Sequence, residues 1–338
     1  MINLFNNFLK FLDFKKKERN FNRIIFNENI NTIKYLDYII KLDKPGTCVV
    51  SLEDLKCDNT NKLNYYHFNS FFFISLLFIF LKTKFLYSST PDLNFTIFRK
   101  SIYKRTKYIY VQHSPVSLGM AYNEKAFINF DAVQVVNKNQ YSDLLDINTF
   151  HKKKIRPIKS KYRFLENFNK IKNISNKKIN YLIAPTWNTD FYKLNLHKKL
   201  FKILNECNKT FIFRPHYMSI KKKEFSYNDL DLDKNKIDCN PELNFENYEN
   251  LITDWSGIYL EFAIMKRIKP VLINSKMKVK NNNYKKFTHT PIELEMRRDF
   301  SFEFDPDNLI QLKDFFINDQ KITHKKFINS KILNDKFY

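Results

Sequence analysis

Glycine is nearly missing from this 338-residue chain, which has only Gly46, Gly119 and Gly257. Average usage would give roughly two dozen. A dinucleotide fingerprint or a phosphate-cradling P-loop needs two or three glycines within a few residues. These three lie far apart, so both are excluded. Cysteine is scarce as well. Cys48, Cys57, Cys207 and Cys239 show no CxxC or Cys–His spacing, so neither a zinc site nor a disulfide framework is indicated, and a reducing compartment fits best. No hydrophobic run is long enough to span a bilayer. The longest uncharged apolar stretch, 68–81, includes Asn69, Ser70 and Ser75. It is shorter than the ~20 residues a spanning helix needs and reads as a buried core helix. The N-terminal segment lacks the basic start and small-residue cleavage site of a secretory signal.

Other residue types are abundant. Lys and Arg number 58 against 35 Asp and Glu, a net charge of +23, and there are 35 Phe and 19 Tyr. Lys, Asn, Ile, Phe and Tyr all have AT-rich codons, so codon usage accounts for part of this excess. The 43% hydrophobic content and the length fit two domains, each with its own core. Leu4, Phe8, Phe11 and Leu12 recur at helical spacing before Lys15, Lys16 and Lys17, which predicts an amphipathic helix. That helix either lies on an anionic membrane surface or caps the core.

Short apolar runs then alternate with helical patterns. Strands are predicted at 48–52, 84–88, 108–112, 132–136, 179–184, 210–213, 251–253 and 270–274, with a helix over 256–266. Such alternation points to parallel sheets flanked by helices. A boundary falls in the basic and polar stretch 151–178, giving domains 1–160 and 161–338. The charge is uneven: residues 150–228 hold 20 basic and 4 acidic side chains, whereas 229–254 hold 2 basic and 8 acidic.

Four motifs sit at predicted strand ends, where ligands of parallel α/β sheets bind. His113 follows the 108–112 strand in Gln112-His113-Ser114-Pro115, the place for an imidazole general base. Thr186 and Trp187 follow the 179–184 strand. Arg214 and His216 follow the next; an Arg fork suits phosphate, or it forms a surface salt bridge. Thr253-Asp254-Trp255-Ser256-Gly257 runs from strand into helix. There Ser256 would place an anion at a helix start, and Gly257 would permit close approach of a diphosphate. Glu261 further along that helix is either a ribose contact or an exposed carboxylate. The loop 276–286 is long enough to cover a site. Two of the three glycines and both tryptophans fall within these motifs.

In order and spacing these motifs resemble the CDP-glycerol glycerophosphotransferase family of teichoic-acid and capsule synthesis. The resemblance rests on His113 to Ser117, Pro185 to Trp187, Arg214 to His216 and Thr253 to Gly257, followed by the Lys-Pro-Val-Leu-Ile of 269–273 and the Pro-Ile-Glu of 291–293. It covers residues 84 to 300. The sequence departs from the commoner family pattern at Ser114 and at Thr253, Trp255 and Gly257.

The resemblance implies a GT-B-like architecture, with two facing Rossmann-like domains and an interdomain cleft. The N-terminal domain would serve the acceptor and the C-terminal domain the CDP donor. It implies transfer of glycerol phosphate, or a related polyol phosphate, to a hydroxyl of a lipid-linked or surface glycan, with CMP leaving. His113 and His216 would be catalytic. Arg214, Thr253, Ser256 and Gly257 would hold the donor phosphates, and Thr186, Trp187 and Glu261 the nucleotide. No metal or cofactor is expected. The expected location is cytoplasmic, peripheral on the inner face of the membrane. A GT-B glycosyltransferase using a nucleotide sugar is the alternative within this fold. Nucleic-acid binding is the alternative outside it, but no RNA-binding signature accompanies the charge.

Overall fold

The computed structural model describes residues 2–28, 32–42, 46–55, 64–162, 179–240, 243–318 and 335–338. Most of the polar stretch expected to mark the domain boundary, 163–178, lies outside the described residues. The N-terminal half contains α1 (Ile2–Lys17), β1 (Arg23–Asn27), α2 (Ile33–Leu42), β2 (Thr47–Ser51), β3 (Asn64–His67), α3 (Phe71–Ile79) and β4 (Phe85–Ser88). It continues with β5 (Lys107–Tyr110), α4 (Leu118–Ala121), β6 (Ala132–Val135), α5 (Lys138–Phe150) and β7 (Arg156–Lys159). Its seven strands are ordered β3-β2-β1-β4-β5-β6-β7 and all pair in parallel.

Helices on both faces explain why the central strands read as continuous apolar runs. Ile24, Ile25 and Phe26 of β1 are fully covered, as is Val50 of β2. The predicted core helix forms at α3, and its Ile74, Leu77 and Phe78 are fully buried. The amphipathic α1 caps the core at its C-terminal end and leaves its first turns uncovered. Phe14 is wholly buried in the core, while Leu4 and Phe5 are 62% and 61% exposed.

The C-terminal half contains β8 (Ile179–Ile183), α6 (Leu196–Glu206), β9 (Phe211–Phe213), α7 (Tyr217–Lys221) and β10 (Tyr248–Thr253). It continues with α8 (Ile258–Lys266), β11 (Val271–Ile273), α9 (Ile292–Phe300), β12 (Phe302–Phe304) and α10 (Leu309–Asn318). This second parallel sheet is ordered β12-β11-β10-β8-β9. The chain returns to the first half at its end: Phe337 bridges Asn137, and Tyr338 N donates to Val136 O at 3.2 Å.

The two halves meet along a seam that combines hydrogen bonds with apolar packing, such as Phe287 against Phe150 and Val116 against Gly257. Glu293 Oε1 accepts from Ser117 N and Oγ at 3.0 and 3.1 Å. Asp146 accepts from Thr288 N and Oγ1 at 2.8 and 3.0 Å. Asn139 Nδ2 donates to Thr290 O at 3.0 Å, and Asn281 Nδ2 to Gly119 O at 2.8 Å. Two glycines allow the approach. A Cβ on Gly257 would meet Ser114 Oγ and Val116 Cγ1 at 2.7 Å, and one on Gly119 would meet the Phe287 ring at 2.6–2.9 Å.

Candidate active site

In the C-terminal sheet the chain passes from β8 to β9 on one side, then returns to β10 on the other. The carboxyl ends of β8 and β10 therefore flank a topological switch point, where open α/β sheets bind ligands. Asp254 organises the loops there. It is fully buried and accepts from Thr186 N at 2.7 Å, Thr189 Oγ1 at 2.9 Å and Ser275 Oγ at 3.3 Å. Burial pushes its pKa up, and the hydrogen bonds from Thr186 and Thr189 pull it down. Trp255 Nε1 donates to Ser275 O at 2.7 Å, and the Arg297 guanidinium lies 4.0 Å from its ring centroid.

These contacts revise several phosphate-binding expectations. Thr253 Oγ1 donates to Ala184 O at 2.6 Å and is fully buried, so it ties β10 to β8 instead of facing a ligand. The space beside Gly257 is filled by Ser114 and Val116, so its role is domain contact and not diphosphate approach. Arg214 takes the salt-bridge alternative: Nη1 donates to Asp238 Oδ2 at 2.5 Å and Nη2 to Asn240 O at 2.6 Å. The helix begins at Ile258 with Gly257 as its cap residue. Ser256 stays at its mouth, half-buried, and Oγ accepts from Ile258 N at 3.4 Å.

The cations gather elsewhere, around Trp187. Lys222 and Lys278 Nζ each lie 4.3 Å from its ring centroid, and Lys280 Nζ lies 5.4 Å away. Lys278 Nζ donates to Thr186 Oγ1 at 2.9 Å, so Thr186 serves this lysine. Burial, reinforced by Lys280 and Lys222, brings the Lys278 pKa down to about 7 against the pull of Asp254 and Glu224. His216 stands beside the indole, ring centroids 6.3 Å apart. Its Nδ1 accepts from Met218 N at 3.0 Å, capping α7. That contact requires a bare Nδ1, so the neutral ring carries its proton on Nε2. Burial, with Lys278 and Arg214 nearby, takes its pKa down to about 3. His216 is thus placed as a neutral hydrogen-bond donor.

On the N-terminal side, His113 follows β5 and is half-buried. Tyr35, Tyr110 and Tyr122 ring it at centroid distances of 6.1, 6.1 and 5.9 Å. Nδ1 lies 2.8 Å from Tyr110 Oη. Burial and then Lys280 lower its pKa to about 4, while the Ser89 backbone works in the opposite sense. Glu261 is buried at 7% exposure, contrary to an exposed helix carboxylate. Tyr162 Oη lies 2.5 Å from Glu261 Oε1 and 3.2 Å from His113 O. One phenol therefore joins the loop of the first domain to the helix of the second.

The structure thus brings His113 close to Glu261, and Thr186 and Trp187 close to His216. The lysine cluster was missed in the sequence; its only trace was the length of the 276–286 loop. Among the described residues no group of three His, Cys, Asp or Glu is placed to hold a metal ion. No helix of the described residues is long and apolar enough to cross a membrane.

No protein-family model matches the chain, and no curated protein does at a significant level. Solved structures do resemble it. A Staphylococcus aureus MnaA–UDP structure superposes with a TM-score of 0.54 at 12% identity, covering 91% of this chain and 92% of that one. A UDP-N-acetylglucosamine 2-epimerase gives 0.50 at 11% identity, covering 88% and 87%. The fold is GT-B. Lys280 links the two sets of residues, because its charge reaches the His113 imidazole as well as Lys278.

Proposed function

We propose that the protein is a transferase of cell-surface glycan synthesis, using a nucleoside-diphosphate donor held on the C-terminal domain and a hydroxyl acceptor on the N-terminal domain. The domain division at 160/161 goes with this reading. Lys280 is the observation that carries it. Its backbone N–H donates to Met120 O of the first half at 3.1 Å, its Nζ lies 5.4 Å from the Trp187 ring centroid, and its charge lowers the pKa of both His113 and Lys278.

Three ammonium groups on one indole repel one another, and a diphosphate relieves that repulsion. His216 Nε2–H and the Ser256 hydroxyl add neutral donors, and Trp187 offers a ring face. His113 takes the acceptor proton. In polyol-phosphate transfer the acceptor oxygen bonds to the distal phosphorus, the anhydride bond breaks and CMP departs. In sugar transfer the oxygen bonds to the anomeric carbon and the nucleoside diphosphate departs. In both, fixed cations stabilise charge on phosphate oxygens. A bound diphosphate also screens Lys280, which raises the His113 pKa and makes it a stronger base in the donor complex.

Two donor classes fit. A nucleotide sugar is supported by the shared fold of the UDP-bound MnaA structure and the UDP-N-acetylglucosamine 2-epimerase. A CDP-polyol is supported by the order of the four motifs. Calorimetric titration with CDP-glycerol, CDP-ribitol and UDP-sugars decides between them, and binding of none would overturn the transferase reading. The exposed Leu4, Phe5, Phe8 and Leu9 of α1, with Phe71 and Phe72 of α3 and the lysines at 15–17, suit an anionic membrane carrying a lipid-linked acceptor. Sedimentation with anionic but not neutral vesicles is the expected outcome.

A further inference from the structure

We infer that Trp187 is a platform that gathers Lys222, Lys278 and Lys280 into one phosphate-binding cluster, so that its indole serves a diphosphate and not a base. The lysines reach the ring from two separate segments. Lys222 caps the end of α7, and Lys278 and Lys280 lie in the loop after β11. Their Nζ atoms stand 4.3, 4.3 and 5.4 Å from the ring centroid, inside the ~6 Å reach of a cation–π contact. Among the described residues none of the three forms a salt bridge, and only Lys278 hydrogen-bonds through Nζ, to Thr186 Oγ1 at 2.9 Å. Asp254 and Glu224 pull on Lys278, and Asp92 on Lys280, without pairing. Like charges held this close repel, and the electron-rich face of the indole is the partner they share.

Three ammonium groups without a paired acid select a ligand of high negative charge density. A diphosphate supplies that, whereas a pyrimidine base carries no charge. A base seeking the indole also competes with ammonium groups already at 4.3 Å, closer than the roughly 4.5–7 Å between centroids of paired aromatic rings. His216 flanks the same ring at 6.3 Å with a tilt of 39°. The indole is thus reserved for the lysines, and the base of a nucleotide donor finds its contacts elsewhere. Trp187 acts through the lysines, which makes it a positioning residue. A nucleotide as the natural ligand rests on the proposed function, whereas binding of a bare diphosphate does not.

The test compares inorganic pyrophosphate, which has no base, with CDP and UDP by calorimetry on the full chain. The wild-type protein is expected to bind pyrophosphate. Trp187→Leu should weaken pyrophosphate and the nucleotides by the same factor, roughly 2- to 30-fold, the worth of one cation–π contact. Trp187→Phe keeps a ring and recovers part of the loss. Lys222→Met, at an exposed position, weakens pyrophosphate as well. Absence of pyrophosphate binding in the wild type overturns the inference, and so does binding that Trp187→Leu or Lys222→Met leaves unchanged. A loss on CDP and UDP that pyrophosphate does not share also overturns it, because that pattern belongs to a stacked base. Pyrophosphate binding that depends on Trp187, with no binding of CDP or UDP and no turnover of any donor, upholds the platform and overturns the transferase reading. Trp187 is half-buried, and circular dichroism checks that its variants fold.

Discussion

The two walls of the proposed site are built from different chemistry. On the N-terminal wall His113 is surrounded by the uncharged Tyr35, Tyr110, Tyr122 and Gln112, with Tyr110, Tyr122 and Gln112 linked in one hydrogen-bonded chain. On the C-terminal wall Trp187 is surrounded by Lys222, Lys278 and Lys280. Each wall holds a histidine kept neutral by burial, and the two rings are fixed by different partners. His113 Nδ1 meets Tyr110 Oη, and His216 spends its Nδ1 on a helix cap and presents Nε2–H. A net charge of +23 said little about partners. Its local distribution gathers three lysines around Trp187 and leaves uncharged side chains around His113, with Lys280 acting on both.

The division can be broken by substitution. His113→Ala is expected to have the largest effect, lowering kcat by about 10²–10⁴, the usual worth of a general base, with donor affinity unchanged by calorimetry. Lys278→Met should do the reverse. Donor Kd rises roughly 10- to 100-fold, as for loss of a charge-assisted contact, and the salt dependence of binding becomes shallower. If both substitutions moved the same parameter, the two walls would not be separate. Gly257→Ala tests the seam between them. Its Cβ would sit 2.7 Å from Ser114 Oγ and Val116 Cγ1, short side chains close to the backbone. Overpacking of this kind costs about 1–3 kcal/mol, measured by chemical denaturation.

Proton linkage gives the smallest effects. Lys278 has a pKa lowered to about 7, so an arriving anion that favours its charged form draws in protons. Calorimetry in buffers of different ionisation enthalpy should show proton uptake near pH 7, and affinity should weaken as pH rises above it. In the free protein, His113, His197 and His216 have pKa values lowered to about 4, 4 and 3. Each is neutral when folded and takes up a proton more readily when unfolded. The stability they contribute is present above pH 6.5 and is lost as pH falls through those values. His289, raised mainly by its contact with Asp143, works in the opposite sense. Its contribution is present below 6.5 and is lost as pH rises through its own raised value.

All eight strands expected from the sequence form, with ends displaced by at most a few residues. Their apolar runs are long enough to be recognised without tertiary help. Four strands were missed. β3, β7 and β12 lie at sheet edges, where one side meets solvent and sequences such as Arg156-Pro157-Ile158-Lys159 resemble linkers. β1 is central, but its apolar run is only Ile24-Ile25-Phe26, flanked by polar residues. At the site, His113, Trp187 and His216 stood out because their residue types are rare and follow strands. Arg214, Thr253 and Gly257 were assigned to phosphate because type and position look alike for a ligand contact and a structural strut. Only three-dimensional partners separate the two. The lysines were hidden by their own abundance.

The seam between the domains has a consequence for timing. Its Ser117–Glu293, Asp146–Thr288 and Asn139–Thr290 contacts are hydrogen bonds that water can replace at little net loss. Parting there would also expose apolar surface, because Phe287 packs on Phe150 and Gly119 and Val116 packs on Gly257. Product escape and reloading would then be slowed by that exposure and not by hydrogen-bond exchange alone.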